Sequence, residues 1–164
     1  MNTEVIGNNF IFFLKNYLSN FYRCNFIEGG ITFSNTEQYF MYQKALFFKD
    51  SVTANKILST NNPFDAKAYG REVKNYNDDQ WASVRYTIMY KANWLKYTQN
   101  KVLADKLLAT GNVVLVECNP VDRIWGIGLS VDAARETTPE NWNGKNLLGL
   151  VLMEVRTNLS KTNV

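Results

Sequence analysis

One stretch constrains this 164-residue chain more than any other. Across residues 79–100, Trp81, Val84, Ile88, Met89, Ala92 and Leu95 recur on a single stripe at helical spacing. The spacing predicts the longest helix of the fold, and shorter ones are expected at 36–48, 52–59, 63–69, 103–109 and 145–158. Gly70 and Gly111 supply natural stops for two of them. For the helix at 36–48, Ser34 is the expected N-cap, with Glu37 three residues on as its capping-box partner.

Strand signals are few. Residues 10–14 (FIFFL) read as a buried strand, and 31–33 as a second one entered through Gly29-Gly30. Residues 113–118 (VVLVEC) form the clearest buried strand because they are rich in β-branched side chains. Residues 16–24 read as irregular, and 119–129 as a loop with Pro120, Gly126 and Gly128. The expected class is α+β, predominantly α-helical, with a few short strands in a single domain over residues 1–164.

Composition narrows the function. Hydrophobic residues make up 46% and charged ones 20%, an ordinary globular balance, and the net charge of +3 is spread along the chain without a basic run. A purely electrostatic grip on nucleic acid is therefore not indicated, whereas a phosphorylated ligand suits the modest positive balance. Cys24 and Cys118 belong to no CxxC, and the FIFFL run is too short for a signal peptide. The chain reads as cytoplasmic with reduced thiols and no membrane association. The sequence does not speak to the oligomeric state.

The most useful absence is histidine. It removes Ser-His-Asp and Cys-His catalysis and His-ligated zinc together. Acid–base work falls to Asp, Glu, Lys, Tyr or Cys. No metal and no cofactor is expected, although carboxylate-bound Mg²⁺ stays open.

The 36–48 helix carries Glu37, Met41, Lys44 and Phe48 on one narrow stripe. Two opposite charges thus sit on an apolar face, where a desolvated amine loses part of its affinity for the proton and becomes a nucleophile. The plainer alternative has Glu37 closing the capping box and Lys44 paired or snorkelling outward. Arg85 lies on the buried-facing stripe of the long helix, suited either to a bidentate phosphate contact or to an ion pair with Glu37 or Asp122. After the VVLVEC strand, Asp122, Trp125, Gly126 and Gly128 read as a ligand loop with a stacking platform, or as a tight turn around a buried tryptophan. Gly70-Arg71 offers a guanidinium to phosphate or simply to solvent. Residues 143–146 are first a turn and helix start, and second a ligand contact.

In this order, these segments resemble the NADAR (YbiA-like) family. The matching stretches are LSNFY (18–22), TFSNTEQYFMYQKA (32–45), AKAYGR (66–71), and Trp81, Arg85 and Met89 in the long helix. LLATGNVVLVECNPVDRIWGIGL (107–129) and NWNGKNLLGLVLMEVR (141–156) complete the series. The family usually has a small residue where this chain has Cys118-Asn119, and some relatives have a histidine-containing helix start where Gln38 stands here.

The resemblance implies a single-domain N-glycosidase. Its substrates would be ribosylaminopyrimidine phosphates of riboflavin biosynthesis, or ADP-ribosyl-guanine in DNA or RNA. The carried-over positions are Glu37, Lys44 and Asp122 as catalytic residues. Asn20, Phe21, Gly70, Arg71, Trp81, Arg85, Trp125, Gly126, Gly128 and Asn146 are carried over as ligand contacts. In the mechanism this suggests, Lys44 attacks C1′ to give an imine, Glu37 or Asp122 moves protons, Arg71 and Arg85 hold phosphate, and Trp125 stacks. That scheme expects Asp122 and Trp125 within reach of Lys44. A variant has a carboxylate activating water while Lys44 neutralises charge. The competing function is a non-catalytic ADP-ribose or nucleotide-binding module, which does not need a desolvated lysine.

Overall fold

The computed structural model describes residues 4–6 and 9–162. Along the chain run β1 (Glu4–Ile6), β2 (Phe10–Phe13), β3 (Phe26–Glu28), β4 (Ile31–Phe33), α1 (Thr36–Phe47), α2 (Ser51–Leu58), α3 (Pro63–Gly70) and α4 (Asp78–Thr98). They are followed by α5 (Lys101–Ala109), β5 (Val114–Glu117), α6 (Val131–Arg135), a 3₁₀ turn (Pro139–Asn141) and α7 (Leu147–Thr162). The fold is α+β and predominantly helical, as the periodicity predicts. No helix among the described residues is long and apolar enough to cross a membrane.

Two compact units divide the chain, one formed by Asn20–Asn100 and the other by the segments flanking it. In the first, α1 packs against α2, α3 and α4. Its termini explain its placement. Asn35 caps the N-terminus by accepting from the Gln38 amide at 2.8 Å. The cap is therefore Asn35 and not Ser34, so the capping-box position three residues on is Gln38 rather than Glu37. Gln38 reaches back, its Oε1 accepting from the Ser34 amide at 2.9 Å. At the other end Lys49 adopts φ 59°, the Lys49 amide donates to Leu46 and the Asp50 amide to Ala45. This left-handed stop turns the chain straight into α2.

Strands β3 and β4 form a hairpin through Gly29-Gly30, both at positive φ. β3 carries no sequence signal of its own because only three residues precede the turn. Its outer edge is covered by Gln99, whose side-chain amide accepts from the Ile27 amide and donates to the Ile27 carbonyl, both at 2.8 Å.

The second unit is built on a three-stranded sheet in the order β1-β2-β5, with β1 antiparallel and β5 parallel to β2. Phe10 and Phe12 share one face with Val114, Val116 and Cys118, and that face packs on Ile127, Val131, Ala134 and Trp142. α7 packs on β5 and α5. α6 is too short to announce itself by periodicity and rests on its Ser130 cap, whose hydroxyl accepts from the Ala133 amide. Both cysteines are buried free thiols.

Candidate active site

Within the Asn20–Asn100 unit, the carbonyl of Asn20 accepts from the Glu37 amide at 3.1 Å and from the Thr36 hydroxyl at 2.9 Å. This fixes the first turn of α1 in the interior and leaves Glu37 only 6% exposed. A carboxylate there is favoured by the helix N-terminus. Lys44 stands two turns further along and is half-buried. Its Nζ donates to the Gly70 carbonyl at 2.8 Å and lies 4.4 Å from the centre of the Tyr76 ring. Burial pushes this amine below the usual lysine range. The Glu37 carboxylate pulls it back up, the Arg71 guanidinium pushes it down, and the Asp78 carboxylate pulls it up.

Four more sequence positions meet around that amine. Gly70 is buried at the end of α3, where a Cβ would sit 1.9 Å from the Met41 sulfur. The absence of a side chain lets α3 close on α1 and bring its last carbonyl to Lys44. Arg71 follows, exposed, its charge felt at Lys44. Tyr76 donates its hydroxyl to Asp78 at 2.7 Å. Burial and that bond push the phenol up to about 12, with the half-buried Arg85 opposing them. Glu37, Lys44, Gly70, Arg71 and Arg85, all expected from sequence, are thus gathered in one unit, with Tyr76 and Asp78 added by the fold.

Of the remaining expected contacts of this unit, Asn20 and Trp81 are packed in its interior. Asn20 is buried, its amide nitrogen donating to the Met89 sulfur at 3.3 Å and its oxygen accepting from Asn93 at 3.4 Å. Trp81 is 4% exposed and packs on Phe40, Phe47 and Phe48, so it is a core ring. Phe21 meets the exposed Phe64 edge to face at 4.8 Å, with Lys67 over its ring. Lys96, which no apolar pattern marks, is fully buried, and desolvation brings its amine down to about 8.

In the other unit, the loop after β5 is a self-supporting structure. Asp122 Oδ1 accepts from the amides of Ile124 at 2.9 Å and Trp125 at 2.8 Å, and the Asp122 carbonyl accepts from Gly128. Gly128 takes φ +69°, and a Cβ on Gly126 would crowd the carbonyls of Asp122 and Glu117. Residues 143–148 then run alongside. The amides of Asn143, Lys145, Asn146, Leu147 and Leu148 donate to the carbonyls of Ile127, Arg123, Gly126, Ile124 and Trp125. Asn146 ties this ribbon to the sheet, its Oδ1 accepting from the Glu117 amide at 3.0 Å and its Nδ2 donating to the Leu115 carbonyl at 2.9 Å. Both arms of its side chain are spent on β5, so it is a latch of the fold.

In fold, the chain is similar to the NMR structure of the Escherichia coli protein YbiA, with a TM-score of 0.79 and 30% identity over 98% of this chain and 90% of that one. It is 41% identical over 129 residues to N-glycosidase R617 of Acanthamoeba polyphaga mimivirus, covering 79% of this chain and 76% of the relative. It is 33% identical over 142 residues to N-glycosidase YbiA of E. coli, covering 87% and 80%. A riboflavin biosynthesis protein of Vibrio vulnificus is 31% identical over 145 residues, 88% of this chain but only 36% of that protein's length. The class so defined is that of glycosidases acting on N-glycosyl bonds, and this chain is an enzyme of that class. It belongs to the NADAR domain family, whose model matches residues 12–160 and so spans both units.

Proposed function

We propose that this N-glycosidase hydrolyses the C1′–N bond of an N-linked ribosyl phosphate or ADP-ribosyl substrate, with the Lys44 amine as nucleophile. The observation that carries the reading is the setting of that amine. It is half-buried, tethered to the Gly70 carbonyl and held below its ordinary pKa by desolvation, with the Glu37 carboxylate on the same helix. An amine so placed is partly neutral nearer physiological pH than a solvated lysine.

The neutral amine attacks C1′ as the C1′–N bond breaks, and the departing nitrogen takes a proton supplied through Glu37. The sugar ring then opens to an imine between C1′ and Nζ. Water adds to this imine, which releases the sugar and returns the amine. Arg71 and Arg85, on either side of Tyr76 in sequence, are suited to the phosphate oxygens. The name of the Vibrio relative supports a ribosylaminopyrimidine phosphate as one substrate. ADP-ribosyl-guanine in nucleic acid is the other.

The test is to incubate the enzyme in parallel with ribosylaminopyrimidine phosphate and with ADP-ribosyl-guanine DNA, adding borohydride during turnover. The expected result is hydrolysis of at least one substrate and a reduced sugar adduct on Lys44. Near-normal turnover by Lys44→Arg would overturn the covalent step and favour water activated by Glu37.

A further inference from the structure

The segment joining α3 to α4 does more than connect two helices. It leaves α3 at Gly70, whose carbonyl receives Lys44, and ends at Asp78, the first residue of α4. Between them Asn75 takes the left-handed conformation at φ 59° and turns the chain so that Tyr76 faces α1. The Tyr76 ring meets Phe48 edge to face at 5.3 Å and carries the Lys44 ammonium over it at 4.4 Å. Its hydroxyl is fixed by the 2.7 Å bond to Asp78. Ring, hydroxyl and carboxylate therefore form one assembly that meets the lysine through the ring.

We propose that Tyr76 and Asp78 are a positioning couple for Lys44, the ring covering the amine and the carboxylate holding the ring in place. This deepens the reading of Lys44 as the nucleophile and rests on it. A π face favours an ammonium over a neutral amine, and so does a nearby carboxylate. The couple thus works with Glu37 of α1 and against both desolvation and Arg71, while Arg85 of α4 acts on the Tyr76 hydroxyl. The phenol itself stays neutral, so the ring contributes its quadrupole and its bulk rather than a charge. Substrate meets an amine held in one place, neither freely solvated nor fully stripped of its proton.

The experiment reads Lys44 directly. Trace acetic anhydride labels the amine across a pH series, and peptide mass spectrometry gives its titration midpoint in wild type, Tyr76→Leu, Tyr76→Phe and Asp78→Asn. Loss of the ring in Tyr76→Leu should lower the midpoint by about 0.4–1.5 pH units. Asp78→Asn should lower it as well, and Tyr76→Phe, which keeps the ring but frees it, should fall between wild type and Tyr76→Leu. A Lys44 midpoint in Tyr76→Leu that superposes on wild type overturns the couple. Should Tyr76→Leu not fold, unshifted midpoints in both other variants overturn it equally. The acid limb of turnover on the two substrates named above is measured alongside. If the midpoint moves and the limb does not, the couple stands and the nucleophile reading of Lys44 falls.

Discussion

Lys44 of α1 donates its amine hydrogen to the carbonyl of Gly70, the last residue of α3, at 2.8 Å. The bond joins a charge on one helix to a carbonyl at the end of another, so packing and chemistry meet at one atom pair. Because burial depresses the amine's pKa, the pH dependence has a defined sign. The nucleophilic form is the neutral one, so kcat/KM falls as pH drops through the Lys44 titration. That limb lies below the ordinary lysine value of about 10.4. Turnover measured across pH checks this, and Lys44→Arg should lose the limb together with the activity.

Gly70→Ala tests the packing half of the same relationship. A helical alanine normally gains about 1 kcal/mol over glycine, but here its Cβ meets the Met41 sulfur at 1.9 Å and Cγ at 2.9 Å. The clash should prevail and destabilise the protein by about 1–3 kcal/mol in urea unfolding. Combining it with Met41→Ala should recover part of that loss beyond additivity, and a strictly additive pair would place the strain elsewhere.

Asn146→Ala removes both side-chain bonds to β5 and leaves the Leu115 carbonyl and Glu117 amide without those partners. The expected loss is roughly 2 kcal/mol or more. Asn146 also adopts φ 52°, so Asn146→Gly should be milder than Asn146→Ala because glycine accepts that backbone. Equal losses in the two variants would show that the left-handed backbone contributes nothing.

For Asp122, carboxylate and amide can be separated. Asparagine keeps an oxygen for the amides of Ile124 and Trp125, whereas alanine does not. Thermal unfolding of Asp122→Asn should stay near wild type while Asp122→Ala loses about 1–2 kcal/mol. A fall in turnover in Asp122→Asn then measures the charge and not the loop.

Asp50 predicts an acid-sensitive joint. Its carboxylate caps α2 through the Thr53 amide at 3.0 Å and holds the Lys74 amide at 2.9 Å, and these bonds bring its pKa down to about 2. A depressed carboxyl contributes stability above its unfolded value of about 3.9 and loses it as pH falls toward 2. Melting curves of wild type and Asp50→Asn should be separated at pH 6 and draw together near pH 2. A constant gap across that range would count against the bond set.

The helices were legible because their apolar periods are long, and the pair Glu37 and Lys44 because opposite charges on an apolar face are conspicuous. Finer placement depended on tertiary contacts. Ser34 and Asn35 are both good caps, and only the engagement of Gln38 with Ser34 separates them. On α4 the apolar count favoured Val84, Ile88 and Leu95, which are half-buried, over Asn93 and Lys96, which are fully buried. Lys96 stands seven residues after Met89 and four after Ala92, so its face was readable and only its polarity hid it. Tyr76 and Asp78 lie in an asparagine-rich connection that reads as a turn before a helix, and nothing local says that it folds onto α1. Trp81 shows the converse, since a ring in a motif can simply be core.

The ribbon of residues 143–148 is joined to 123–127 by a run of peptide hydrogen bonds. Those peptide bonds do not depend on which side chains stand at the exposed positions Arg123, Ile124 and Lys145. Gly144 is the exception, since a methyl there would collide with the Gly126 carbonyl at 2.3 Å. A lineage can rewrite the outward chemistry of this ledge one residue at a time while its scaffold stays constant, and a protein engineer can use the same freedom to graft new contacts there.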